Sequence, residues 1–171
     1  MARILIIGNA GSGKSTLAAR LGHELNLPVF GLDSIVWLPR WQKRSVESRR
    51  ALENELISQP DWIIDGVSFD VLLAADLAVF LDVSRWISFK RCALRNWSYL
   101  FRSRPRLPPN CPEIAIIGRL ISIIWQFKER TRPQILAFKQ ANPGRVVIFT
   151  KNETVEELAR DVARQHAILM R

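Results

Sequence analysis

The residues best suited to chemistry stand near the start of the chain. Gly8-Asn9-Ala10-Gly11-Ser12-Gly13-Lys14-Ser15 fits G-x-x-x-x-G-K-[ST], the Walker A pattern, in full. Each residue type in it has a physical task. Glycines let the backbone turn tightly and aim successive N–H groups at phosphate oxygens. A helix opening near Lys14 adds the positive end of its dipole. Lys14 then reaches the β- and γ-phosphates, and the Ser15 hydroxyl ligates magnesium. The loop Gly8–Thr16 is therefore expected to bind a nucleoside triphosphate with Mg2+. The context agrees, because an apolar strand-like run precedes the loop and helical spacing follows it.

Two carboxylates are the next candidates. Ligands of open α/β sheets bind beyond the carboxyl ends of the strands, and both Asp33 and Asp65 follow short apolar runs. Asp65, after Trp62-Ile-Ile, is the better candidate to hold magnesium, through the metal's water shell; Asp33 could hold an acceptor or act as its base. The alternative for each is an ordinary turn residue, since Asp-Gly is a common turn pair. Asp82 also ends an apolar run and reads as a cap for the helix after it.

Arg91 and Arg95 lie four apart on a basic helical segment and so share one face. Arginine suits a phosphoryl group in transfer because its charge is permanent and its donors match phosphate oxygens. A solvated basic face is the competing reading.

The elements that must position these groups follow from periodicity. Arg3–Ile7 reads as a strand buried on both faces, Lys14–Leu25 as a helix with Leu17, Leu21 and Leu25 on one side. Further strands are predicted at Pro28–Leu32, Trp62–Ile64, Leu77–Leu81 and Arg145–Thr150. Helices are predicted at Ser45–Ser58, Ser84–Phe101, Glu113–Phe127, Pro133–Gln140 and Glu153–Leu169, the last capped by Thr150 or Asn152. Trp37 and Trp41 fall in a loop, and Ser103–Pro112, with four prolines, is a loop or hinge. Strands alternating with helices predict a doubly wound parallel sheet.

Composition narrows the class. The 171 residues suit one domain, and 48% hydrophobic content argues against disorder. The opening residues run straight into strand pattern and lack signal-peptide regions. Cys92 and Cys111 form no metal or redox spacing, so a cytoplasmic location is expected. The longest apolar stretch, Ile114–Phe127, is interrupted by Gly118, Arg119 and Gln126, and a spanning helix needs about 20 apolar residues. It reads as a buried or lid helix, with a membrane-surface placement as the alternative; no membrane partner is expected. Net charge is +9, from 25 Lys plus Arg against 16 Asp plus Glu, which favours anionic partners. The bases concentrate in segment 85–106, and no acid stands between Val83 and Pro112. Trp97, Tyr99 and Phe101 are interleaved with those bases, so nucleic acid is a possible partner.

The order of these segments resembles a known family. The phosphate loop, Gly31-Leu-Asp33, Trp37-Leu-Pro-Arg-Trp41, Trp62-Ile-Ile-Asp65-Gly66, Ala75-Asp76, Phe80-Leu-Asp82, Arg91, Asn110-Cys111-Pro-Glu113 and Arg132-Pro133 resemble the adenylate kinase-like DNA topology modulation proteins over nearly the whole chain. The resemblance implies an α/β P-loop NTPase three-layer sandwich with a five-stranded parallel sheet and a helical lid. It implies residues 1–171 as a single kinase-like domain, an acceptor-side insertion at about 34–60 and a lid at about 96–130. ATP, with Mg2+, is the implied cofactor, and a kinase or transferase acting on a small anionic acceptor the implied activity. In adenylate kinases a strand-end Asp is followed nine and thirteen residues later by arginines at the ATP site, the spacing of Asp82, Arg91 and Arg95 here. Arg130 and Arg132 are similar to lid arginines that close over phosphates, and Lys151–Thr154 resembles the loop beside the adenine. Trp37, Arg40, Trp41, Lys43 and Arg44 would border the acceptor. The chain departs from the family at Gly31, where His is usual, at Val67-Ser68, where Asn-Tyr opens a longer loop, and at Val71, where Arg is usual. A nucleotide-dependent nucleic-acid binder affecting DNA topology and a bare NTPase switch are the other readings; the acceptor and the oligomeric state are not legible.

Overall fold

A computed structural model describes residues 2–97, 99, 101, 108–150 and 155–169. Its centre is a five-stranded, all-parallel sheet: β1 (Arg3–Gly8), β2 (Val29–Gly31), β5 (Trp62–Asp65), β6 (Leu77–Leu81) and β7 (Val146–Phe149), in spatial order β2-β5-β1-β6-β7. β3 (Trp37–Leu38) and β4 (Gln42–Lys43) form a separate antiparallel hairpin.

Side-chain alternation decides what each sheet face buries. Leu5, Ile7, Trp62, Ile64 and Phe80 point to one face, against α4 (Phe69–Ala74), α7 (Arg132–Ala141) and Phe127. Ile4, Ile6, Ile63, Val79 and Leu81 point to the other, against α1 (Lys14–Leu25) and α8 (Val155–Leu169). Both faces are covered, which is why these strands are continuously apolar. On α1 the buried residues are Leu17, Ala18 and Leu21, one helical stripe. Truncating either leucine to alanine removes about 2–5 kcal/mol.

The predicted strands and most helices appear with shifted ends. Leu32, read as the end of a strand, instead opens the short helix α2 (Leu32–Val36). α3 is Val46–Ser58, capped by the Ser45 hydroxyl, which accepts from the Ser48 N–H at 3.2 Å. Glu53, buried on α3, accepts from the Ser68 hydroxyl at 2.8 Å and so anchors the start of α4. α5 is Arg85–Trp97. The stretch read as two helices near the C-terminal third is continuous: a 3-10 turn at Glu113–Ile116, α6 (Ile117–Gln126), a π turn at Phe127–Thr131, then α7. The π turn lets Phe127 drop into the core beside Phe80, ring centroids 6.2 Å apart. Asn152, Lys151–Thr154 and Arg102, Arg104 and Arg106 lie outside the described residues. Among those described, no helix is long and apolar enough to cross a membrane.

Register brings the site together. Gly31 pairs with Asp65, Asp65 with Ile6, and Gly8 with Leu81, so four strand ends meet where the phosphate loop begins.

Candidate active site

At two points the phosphate loop has left-handed backbone that favours glycine. Gly11 and Gly13 have φ of +74° and +102°. A Cβ on Gly11 would lie 2.7 Å from Ser88 O and 2.8 Å from Cys92 Sγ, so α5 presses directly on the loop. The loop is closed by Ser12 N–H donating to Asn9 O at 3.1 Å.

Lys14 Nζ donates to Asn9 O at 2.9 Å and so stands curled within the cradle. Burial pushes its ammonium below the usual lysine value, against the pull of the Asp33 and Asp65 carboxylates; Arg95 pushes it lower still. The Ser15 hydroxyl donates to Asp65 Oδ2 in a short hydrogen bond. Asp65 is 7% exposed. A hydroxyl and a carboxylate from two adjacent elements, opening on a phosphate site, form the donor set that suits magnesium, which takes one or two carboxylates together with substrate phosphates. Among the described residues Ser12 Oγ is buried with no hydrogen-bond partner, and a Cβ on Gly13 would meet nothing within 4 Å. An unsatisfied hydroxyl and open space above the loop fit an anion seated there. Among the described residues no group of three or more His, Cys, Asp or Glu gathers as a metal cage.

The loop opens on a cleft of about 300 Å³. Asp33, Asp65, Thr16 and Arg95 line it, as do Trp37 and Trp41 of the hairpin. Arg91 Nη1 donates to Ser12 O at 3.4 Å, which sets it against the loop's flank. Arg95 lines the cleft and donates from Nε to Asn96 Oδ1 at 3.3 Å. The arginine pair is thus brought to the phosphate loop, one beside it and one over the cleft.

Arg130 and Arg132 do not line this cleft; Arg132 lines a neighbouring cavity with Asn9 of the phosphate loop. Arg132 Nε donates to Asp82 Oδ1 at 3.0 Å and Oδ2 at 2.9 Å, and its Nη2 lies 2.8 Å from Oδ2. This bidentate pair holds the guanidinium charged, chiefly through the hydrogen bond to Asp82. Asp82, read as a helix cap, is instead the anchor for α7. Arg130 is exposed, and neither it nor Arg132 lines the cleft. The cation that does reach the cleft from this part of the chain is Arg119 on α6, its guanidinium 5.4 Å from the Trp37 ring. Sequence reading passed over it; its one signal was a lone arginine interrupting an apolar helical stretch. Arg40, Lys43 and Arg44 do not line the cleft, although Lys43 Nζ stands 5.8 Å from the Trp37 ring centroid.

The hairpin and the segment before α6 share a small core of Trp37, Trp41, Cys111 and Ile116. Trp41 Nε1 donates to Pro112 O at 2.8 Å, and Arg40 N–H donates to Asn110 O at 3.2 Å. Arg40, Trp41 and Asn110 all have left-handed backbone, φ 61°, 55° and 59°. Three such non-glycine residues at one junction store strain of order 1 kcal/mol each, which the packing of the two tryptophans offsets. Trp37, Trp41 and Ile116 of this junction line the cleft.

The departures from the family pattern have structural counterparts. A Cβ on Gly31 would sit 2.9 Å from Asp65 Oδ1. Val67 is exposed and lines the cleft, whereas Val71 is fully buried in the sheet-facing core of α4.

No protein-family model matches the chain, and no curated protein matches it. Solved structures do. Shikimate kinase from Bacteroides thetaiotaomicron superposes with a TM-score of 0.60 at 18% identity, over 95% of this chain and 97% of that one. Shikimate kinase from Aquifex aeolicus vf5 gives 0.55 at 18% identity, over 95% and 94%. A gluconokinase from Sinorhizobium meliloti 1021 gives 0.57 at 16% identity, over 98% and 93%. The chain has the α/β P-loop kinase fold.

Proposed function

We propose that the protein is an ATP- and magnesium-dependent phosphotransferase acting on a small anionic acceptor. The observation that carries this reading is the Ser15–Asp65 hydrogen bond, a hydroxyl and a carboxylate standing together in a cleft that Lys14, Trp37 and Trp41 also line. Magnesium-bound ATP would supply the γ-phosphoryl group. Lys14 and Arg95 would carry cations to the oxygens of that group, Arg91 would brace the loop beside the nucleotide, and Ser15 and Asp65 would hold the metal. Asp33 would orient the acceptor hydroxyl, and Arg119 with Trp37 would meet its anionic end. The kinase fold of the similar structures supports the reaction class; the acceptor differs or not from theirs independently of fold.

The test is γ-phosphate transfer from labelled ATP with magnesium to a panel of nucleoside monophosphates, nucleosides, sugar acids and hydroxy acids, with an acceptor-free control. A labelled product that vanishes in Lys14→Ala establishes the kinase. Transfer at full rate in Lys14→Ala would refute the mechanism, and steady hydrolysis with no acceptor would replace it with a bare NTPase switch.

A second reading, a nucleotide-dependent nucleic-acid binder of the DNA topology modulation type, draws on exposed aromatics within the basic segment. Trp97 and Phe101 are 79% and 83% exposed. Binding to single-stranded DNA that weakens steeply with salt and needs Trp97 would favour it.

A further inference from the structure

The outward faces of α5 and α6 are apolar where a protein surface is ordinarily polar. On α5, Ser88, Cys92 and Asn96 are buried, and Ser88 and Cys92 stand against Gly11 of the phosphate loop. Opposite them, Trp86, Lys90, Leu94 and Trp97 fall within about 80° of arc at roughly 3.6 residues per turn. The three apolar members of that stripe are 68–79% exposed. α6, read from its apolar stretch as a buried or lid helix, buries only Ile124. Ile117, Ile121 and Trp125, spaced by four, share an exposed stripe, and Ile114 is exposed in the 3-10 turn before them. The two helices touch, and the Trp86 and Trp125 rings join the stripes, centroids 6.4 Å apart. An apolar surface shared by two helices is more than scattered exposed side chains.

Charge decides what fits it. No Asp or Glu stands in either helix, whereas Lys90, Arg91 and Arg119 are exposed on them. A second copy docked on the same face by two-fold symmetry would set these cations against themselves. Single-stranded nucleic acid would answer the cations and stack on the indoles, but it leaves Leu94, Ile114, Ile117 and Ile121 without a partner. An anionic lipid surface answers all three groups. Its headgroups take the cations, indoles favour the water–lipid boundary, and the aliphatic side chains enter the acyl edge. Lys90, within the α5 stripe, can lay its stem along apolar surface and keep its ammonium among the headgroups.

We propose that the α5–α6 face docks on an anionic phospholipid membrane, along whose surface the two helices lie without crossing it. The phosphate loop meets the opposite face of α5, so docking does not compete with a phosphate in the loop. The proposal is independent of the phosphotransfer reading.

The test floats the full chain with vesicles of phosphatidylcholine alone and of phosphatidylcholine with phosphatidylglycerol in equal parts, with melting curves to confirm that each variant folds. The expected result is saturable binding to the anionic vesicles, about tenfold or more weaker on phosphatidylcholine alone, and weakened by added salt. Leu94→Ser, Trp97→Ser and Ile121→Ser, all at exposed positions, should each weaken it by about fivefold or more. Lys90→Ala should weaken it by about fivefold. Leu73→Ser, exposed on α4 away from this face, should leave it unchanged. No binding to anionic vesicles overturns the proposal. So does binding that survives the three serine variants combined, since charge alone would then hold the protein. Single-stranded DNA binding that Trp97→Ser abolishes, with vesicles unbound, gives the face to nucleic acid instead. A dimer that Ile121→Ser dissociates in the ultracentrifuge, with vesicles unbound, gives it to a second copy.

Discussion

The side-chain amide of Asn9 donates to the backbone carbonyl of Ile124 at 2.9 Å, joining the phosphate loop to α6 across 115 positions of sequence. Asn9 is 3% exposed, and its Oδ1 accepts from the Ala10 N–H at 2.8 Å. One buried amide thus shapes the loop and holds the helix that carries Arg119. Asn9→Ala removes this bond and the one to the Ala10 N–H, at a cost of about 1–3 kcal/mol. Thermal unfolding should show that loss, and amide hydrogen exchange should quicken in α6 more than in β1. Unchanged exchange in α6 would mean that the helix is held by packing alone.

Lys14 should make the proposed ATP binding sensitive to alkaline pH. Its native pKa lies below the ordinary lysine value because of burial. Below the native value the ammonium is charged in both folded and unfolded chains, and the burial penalty is present in full. Between the native and ordinary values the unfolded chain holds more protons, so this group's contribution to stability rises with pH there. ATP reverses the balance, because its phosphates favour the charged lysine. Binding should therefore take up a proton as pH enters that window, seen by calorimetry in two buffers of different ionisation enthalpy. Lys14→Met should abolish the uptake along with most of the affinity.

Gly31 leaves room for the Asp65 carboxylate. With a Cβ only 2.9 Å from Oδ1, Gly31→Ala must displace that carboxylate, although the backbone there, φ −105°, accepts alanine. The magnesium concentration needed for half-maximal ATP binding should rise severalfold, by about 1 kcal/mol of lost metal affinity. Gly118→Ala is the control: a Cβ there meets nothing within 4 Å, and α6 should gain about 0.5–1 kcal/mol. Equal magnesium dependence in Gly31→Ala and wild type would show that Asp65 does not support the metal.

Arg132 is bound to Asp82 with side chains 35% and 18% exposed. Solvent screens part of that pair, so Arg132→Ala should cost about 1 kcal/mol of stability. ATP affinity should change by less than about threefold, within roughly 0.7 kcal/mol. An affinity loss of tenfold or more at unchanged stability would return Arg132 to the phosphates, as its likeness to lid arginines implies.

The sequence showed the parts of the site that are contiguous. The glycines, Lys14 and Ser15 are one segment whose loop geometry is local. Five apolar runs alternating with helical spacing were enough for a parallel sheet, because burial on both faces leaves a continuous apolar signature. Asp33 and Asp65 stood out because strand ends in such a sheet converge.

What the sequence could not show depends on packing between distant elements. Lys-rich and Arg-rich spacing did not separate Arg119, which enters the cleft, from Arg132, which ties α7 to Asp82. The left-handed turn at Arg40 and Trp41 has no glycine to announce it; the shared core with Cys111 and Ile116 offsets its strain. The π turn that seats Phe127 has no local motif either, since its register answers to the position of Phe80. Residue types and short spacings determined that a phosphate could be held. Only tertiary structure decided which cations face it, because a guanidinium goes to whichever carboxylate, ring or opening the neighbouring elements bring within its reach.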